Sequence, residues 1–428
     1  METKKNYTLP IIMMVLLFGM IAFVTNLAAP MGVVLKNQFG VSNAMGLLGN
    51  MGNFIAYAVM GIPGGLLLQR VGYKKTALIA IVFGFLGVFI QFLSGHAGQS
   101  SAMIIYLLGA FVAGFSMTLL NTVVNPMLNT LGGGGNKGNQ LIQVGGSFNS
   151  IFATFTPAFV GILIGETAKA QITSVFPVLY IAMGIFAVVG LVLWRVSIPE
   201  PHAERFTEPL GKLMAGALKF RHFILGAIGI FAYVGVEVGT PGLANLWLSE
   251  DPAFGAVIGG SVACTYWFLM FIGRLFGVSI AGKVSSKTML TVASSVALIL
   301  LALAIFSPAT IKVTMPLFQR NDAGALSFGL SQVPINAMFI VLVGLCTSIM
   351  WGGIYNLAVE GLGKYLPVAS GIFMTLVCGG GILPWIQGLV ADATTYLVSY
   401  WVMFISVAYL LFFALIGSKN INKDIPVN

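Results

Sequence analysis

Residues Phe223–Leu248 read "FILGAIGIFAYVGVEVGTPGLANLWL", an apolar run with one charged side chain, Glu237, followed at once by Thr240, Pro241 and Gly242. A helix of this length covers about 30 Å of hydrocarbon. A carboxylate at its middle costs at least ~2.5 kcal/mol on insertion scales, so it is retained where it faces protein or water. Pro and Gly just beyond it loosen the helix, which is tolerated where the freed backbone groups line a cavity.

The rest of the chain has the same solvent. Of 428 residues, 58% are hydrophobic and 8% charged, with mean hydropathy +0.96. No soluble domain hides that much apolar surface. The 53 glycines suit close helix packing in lipid, and continuous apolar runs indicate helices rather than an alternating barrel. The net charge of +9 lies in short loops between runs, which excludes a nucleic-acid surface. Cys264, Cys346 and Cys378 fall inside apolar runs and have neither disulfide nor metal spacing. The N-terminal "METKKNYTLPIIMMVLLFGM" begins as a signal peptide does, but its apolar run continues past residue 30, which predicts a retained first helix.

Twelve spans are expected, near 9–35, 44–69, 76–95, 102–130, 140–165, 173–196, 222–248, 256–282, 288–308, 335–360, 367–391 and 394–417. An even number places both termini on one side. Sixteen Lys and Arg residues fall on that side, four on the other and Arg274 within a span. Basic residues mark the cytoplasmic face, so both termini are expected there. The charged segment Arg195–His222 divides the chain into a bundle of residues 1–196, a linker of 197–221 and a bundle of 222–428. Pro209–Phe220 within it reads as a short amphipathic surface helix. Residues 311–334 read as a surface insertion.

The halves repeat weakly. "AFVTNLAAPMG" in span one matches "AYVGVEVGTPG" in span seven, and "QRVGYKKTALIA" after span two matches "GKVSSKTMLTVA" after span eight. "NPMLNTLG" ending span four matches "YNLAVEGLG" ending span ten, and "PAFVG" in span five matches "PWIQG" in span eleven. Parallel six-helix repeats with a solute site between them belong to major facilitator transporters. Spans one and seven are then equivalent, are expected to break at Pro30/Gly32 and Pro241/Gly242, and line the central cavity.

Several motifs make the chain resemble the fucose–proton symporter family of that superfamily, which includes bacterial glucose/galactose transporters. They are "YVGVEVG", "MFIGRLFG", "NTVVNPMLNTLG" with "GSFNSIF", and "NLAVEGLGKYLPVASG" with "CGGGILPWIQGLVAD". "GLLLQRVGYKK" resembles the superfamily signature after span two, with Gln69 where that pattern has Asp. The resemblance implies an all-α fold of twelve transmembrane helices, a sugar-type solute and cation coupling. It also implies that Arg70, Lys74 and Lys75 hold span two against span eleven, weakened by the missing Asp. Fucose-type members carry a glutamate where Asn121 stands and an aspartate near Ala28 or Ala29. This chain has neither acid, so their proton chemistry does not transfer.

Glu237 is the only deep acid among twelve acidic residues. It is the expected coupling residue, taking a proton or helping to hold Na⁺. Arg274, two turns from the end of span eight, is expected to latch to Glu360 as an inner gate. Sugars need amides that donate and accept, and flat rings to stack on. Asn26, Asn121, Asn125, Asn149, Asn245, Asn356, Gln387, Trp351, Tyr355 and Trp385 supply these groups. Few buried cations argues against an anionic solute.

The function expected is import of a neutral monosaccharide by H⁺ or Na⁺ symport. The solute, the coupling ion and the bilayer are the only partners, and no cofactor is expected. The expected protein is a monomer in a bacterial inner membrane. An exporter of amphipathic compounds and a facilitative sugar uniporter are the alternatives. His96, His202 and His222 lie in loops or at span ends, and no nucleophile–base set is visible, which argues against an enzyme.

Overall fold

The computed structural model describes residues 7–39, 48–164, 171–200, 209–320, 326–422, 424–425 and 427. Among them twelve helical spans follow in order. The first six are α1 Thr8–Phe39, α2 Leu48–Val71, α3 Tyr73–Ser94, α4 Gln99–Leu131, α5 Gly135–Ile164 and α6 Phe176–Arg195. After the connecting segment come α7 Arg221–Glu250, α8 Gly255–Ala281 and α9 Ser286–Phe306. A broken span follows, α10, made of Ile335–Thr347 plus Met350–Ala358, and then α11, which runs from Leu366–Thr375 through a 3₁₀ turn at Leu376–Cys378 into Gly379–Ala393. The last span is α12, Tyr396–Phe412. Ten stretches are each long and apolar enough to cross a membrane, and the two pieces of α10, bent by 41°, make an eleventh. The helix α5 is the polar span, with Gln140, Gln143 and Asn149. Ile104, Val188, Val257 and Phe306 are exposed on the outside of the molecule, as side chains facing lipid are.

Within the first half, α4 packs on α1, α2 and α3, and α1 packs on α5. Within the second, α7 packs on α8, α11 and α12, while α9 and α10 pack together. The halves meet most extensively where α2 packs on α11 and α5 on α8. At the first contact the backbones nearly touch: a Cβ at Gly65 would lie 2.8 Å from the Gly371 Cα. Only glycine permits that approach.

Two helix starts show how loop residues hold the spans. The chain turns into α3 at Gly72, φ +86°, and the Glu200 carboxylate accepts from the N–H groups of Tyr73 at 2.7 Å and Lys74 at 3.0 Å. This caps the positive end of α3 with an anion. At α9, Ser285 Oγ accepts from the Thr288 N–H at 3.1 Å.

One expectation is revised, and two take a definite form. The break falls in span ten, not in one and seven, and span eleven only tightens into a 3₁₀ turn at Leu376–Cys378. α7 runs through Pro241, since one lost i→i−4 bond does not end a thirty-residue helix, and α1 is one helix from Thr8 to Phe39. The insertion after α9 is an antiparallel hairpin, β1 Lys312–Arg320 on β2 Leu326–Pro334. It is docked rather than loose. The Phe318 N–H donates to Thr265 Oγ1 at 2.8 Å, and the Phe318 ring stacks on Phe268. In the connecting segment, the expected surface helix is present as the eight-residue α-helix Leu210–Ala217. It buries Leu213 and Ala217, and its Gly216 lies against the ring of Tyr365.

Candidate functional site: a cavity between the halves

Between the halves lies a cavity of about 320 Å³, walled by α1, α2, α4 and α5 on one side and by α7, α8, α10 and α11 on the other. Glu237 lies in its wall, sixteen residues into α7. Its carboxylate Oε1 accepts from Arg274 Nη2 at 3.3 Å, with 15% of the Glu237 and 8% of the Arg274 side chain exposed. Arg274 Nη1 reaches across the seam to α5. Nη1 donates to the Gly146 carbonyl at 2.9 Å and to Ser150 Oγ at 2.7 Å. Asn149 Oδ1 lies 3.4 Å from the same nitrogen, and Nε donates to the Ser348 carbonyl at 3.3 Å, in the break of α10. One guanidinium thus joins an acid of the second half to the backbone of the first.

The opposite wall is uncharged. Asn121 Nδ2 donates to Tyr57 Oη at 2.6 Å, and Asn53 and Thr25 lie beside them. Phe18, Phe54, Trp267 and Trp351 supply flat apolar faces. Below this level, toward the termini, the halves are bonded together. Asn129 Nδ2 donates to Asn356 Oδ1 at 2.7 Å, Gln140 Nε2 to the Val278 carbonyl at 3.1 Å and Gln143 Nε2 to the Ile349 carbonyl at 2.9 Å. The cavity is closed on the terminus side in this structure.

Of the expected solute contacts, Asn121, Asn149 and Trp351 line the cavity. Asn125 lies fully buried behind Asn121. Tyr355 is buried, with Oη 2.9 Å from Ser370 Oγ, and Asn356 bonds across the seam to Asn129 and within its own half to Ser286. Gln387 is buried against Gly239 and Met403. Trp385 is 62% exposed, and Asn245 is half-buried eight residues beyond Glu237; neither is in the wall. The side chain of Asn26 lies outside the described residues. Tyr57, Asn53, Gln143, Trp267 and Ser348 line the site without having been expected.

The inner latch between Arg274 and Glu360 is not formed. Glu360 is exposed, and its backbone carbonyl, not its carboxylate, is engaged, 2.8 Å from His222 Nε2. Arg274 carries its charge several ångströms beyond its Cα, so the group sits deeper than the residue's place in the span suggests.

This architecture can be placed among known proteins. The Major Facilitator Superfamily family model matches residues 11–384. The chain belongs to the Major Facilitator Superfamily. It is 30% identical to a glucose/galactose transporter of Brucella abortus, covering 98% of this chain and 96% of that protein. It is 21% identical to the L-fucose-proton symporter of Escherichia coli, covering 91% and 88%. The Escherichia coli fucose:proton symporter structure in the outward conformation superposes with TM-score 0.80 at 18% identity, over 97% of this chain and all of that one. A proton:xylose symporter bound to 6-bromo-6-deoxy-D-glucose superposes with TM-score 0.69 at 12% identity, over 98% and 99%. A member of this superfamily is a membrane transporter, not an enzyme.

The loop resembling the superfamily's signature is used differently from expectation. Lys74 Nζ donates to the Trp194 carbonyl at 2.9 Å, tying α3 to α6 of its own half. Arg70 and Lys75 are exposed. The α2–α11 contact is made instead by Gly61 on Thr375 and Gly65 on Gly371.

Proposed function

We propose that the protein is a proton-coupled importer of a neutral hexose. Its halves, residues 1–196 and 222–428, rock about the 197–221 linker and open one cavity alternately to either side. The observation that carries this reading is the Glu237–Arg274 pair in the cavity wall, with Arg274 also bonded to α5. The wall chemistry supports a sugar: amides and a phenol for hydroxyls, indole and phenyl faces for the ring. A 320 Å³ cavity is at the small end of ligand pockets, ~300–1,000 Å³, which suits one ring. The names of its relatives as glucose/galactose transporters and L-fucose-proton symporters support the same solute class.

The proton has a physical role here. While Glu237 is ionised it balances Arg274. Once Glu237 takes up a proton, the guanidinium is left buried without its counter-charge, a state that costs several kcal/mol. Swinging toward water relieves it and releases Gly146 and Ser150, so the α5–α8 contact parts. Proton uptake at Glu237 and opening on the terminus side are thereby one event. A proton suits this site better than Na⁺, because Arg274 already supplies a positive charge to the carboxylate. The terminus side is cytoplasmic in this reading, on the strength of its sixteen basic residues, and the membrane is a bacterial inner membrane.

Uptake of radiolabelled neutral hexoses into proteoliposomes tests this. Accumulation of D-glucose or D-galactose is expected under an imposed pH gradient and not under a Na⁺ gradient alone. Accumulation driven only by Na⁺ would refute the proton assignment, uptake that follows no gradient would indicate a uniporter, and no hexose uptake would refute the solute.

A further inference from the structure

Asn125 is absent from the cavity wall yet fully buried. Its amide is used at both ends. Nδ2 donates to the Asn121 carbonyl at 2.9 Å, within α4. Oδ1 accepts from Trp351 Nε1 at 3.0 Å, on α10 of the other half. Trp351 lines the cavity and stands just past the break in α10. Its indole also has the edge-on rings of Tyr233 at 6.1 Å and Phe373 at 6.4 Å. The break exposes two carbonyls, and both are occupied: Ser348 by Arg274 and Ile349 by Gln143 of α5.

We propose that Asn125 is a positioning residue that fixes the Trp351 indole as the terminus-side wall of the solute cavity, through a bond that must break each time the protein opens toward its termini. α4 and α10 belong to different halves, so rocking them apart on this side separates donor from acceptor. The indole N–H then loses a buried partner, and the ring is free to turn with the lower piece of α10. A solute resting on the indole is therefore felt at the seam by the same side chain. This rests on the alternating-access reading, and on neither the identity of the solute nor that of the ion.

The seam measurement needs no solute. Spin labels at cysteines replacing exposed Lys137 and Lys283, one on each half, report the width of the terminus-side seam. Cys264, Cys346 and Cys378 are first replaced by serine or alanine. Electron–electron resonance distances in nanodiscs then compare the parent with Asn125→Leu, Trp351→Phe and the double variant. Trp351→Phe keeps a six-membered aromatic face and removes the donor together with the five-membered ring that carries it. Each single variant is expected to raise the ratio of wide to narrow seams about fivefold, the equivalent of one neutral hydrogen bond, and the double variant to add nothing further. Seam distances unchanged in both singles, or effects that add in the double, would overturn the proposal. Hexose uptake in the same proteins is expected to show a raised KM with a smaller change in kcat; an unchanged KM in both singles would remove the positioning role. A parent that transports no hexose would fault the proposed solute and leave the seam measurement to decide this inference.

Discussion

Glu237 and Arg274 are each costly in a membrane and tolerable only together. Removing one partner of a buried pair leaves the other uncompensated, a loss of roughly 3–5 kcal/mol, whereas removing both is often neutral. Glu237→Gln with Arg274→Met should therefore unfold near the parent temperature in detergent. Arg274→Met alone should unfold well below it, with no hexose accumulation in either case. Equal destabilisation by the single and the double variant would deny that the two side chains depend on each other. Glu237 was legible in the sequence because it is the lone acid deep in an apolar run. Its partner was not, because a sequence gives the depth of a Cα and an arginine head group sits elsewhere. Tyr57 and Asn53 were missed for a similar reason: span two shows no unusual polarity. A signal did exist in the repeat. If Gln69 matches Gly282, then Phe54 and Trp267, each fifteen residues earlier, are equivalent, and both line the cavity.

At the scale of helices, punctuation predicted special spans but not which ones bend. Pro241 removes one backbone bond from α7, and the flanking turns carry the helix on. The bend comes at Ser348–Ile349, where no proline stands. The α10 bend is stabilised by side chains from elsewhere that take its free carbonyls, a tertiary effect no local pattern records. The seam between α2 and α11 rests on glycine, so Gly65→Val should wedge it apart. Overpacking costs about 1–3 kcal/mol, here charged to the terminus-closed state. Uptake should fall about tenfold at normal membrane abundance of the protein, with a cysteine replacing Gln140 at the terminus-side seam more open to an impermeant maleimide. Uptake at the parent rate in that variant would show that this contact does not govern closure.

For the whole molecule, composition, spacing of apolar runs and the internal repeat were enough to give a twelve-helix transporter with its cavity between two halves. The charged latches inferred from the loop after α2 were not what joins those halves. Amides on α5 and close backbone contact do so, and neither has a charge pattern to read. Alternating access then makes a definite demand on the α5–α8 contact. Cysteines replacing Gln140 and Val278, in a chain without Cys264, Cys346 and Cys378, should cross-link and stop hexose uptake, and reduction should restore it. Transport undiminished by the cross-link would mean that this seam need not open.

The central claim is that Glu237 carries the proton that travels with the sugar. It is tested most directly by recording pH beside hexose flux in the same proteoliposomes, with no imposed gradient. Addition of the transported hexose should alkalinise the medium for the parent protein. Glu237→Gln should still exchange labelled for unlabelled hexose across the membrane while leaving the pH still. A sugar-driven pH change of the parent's size in that variant would contradict the account.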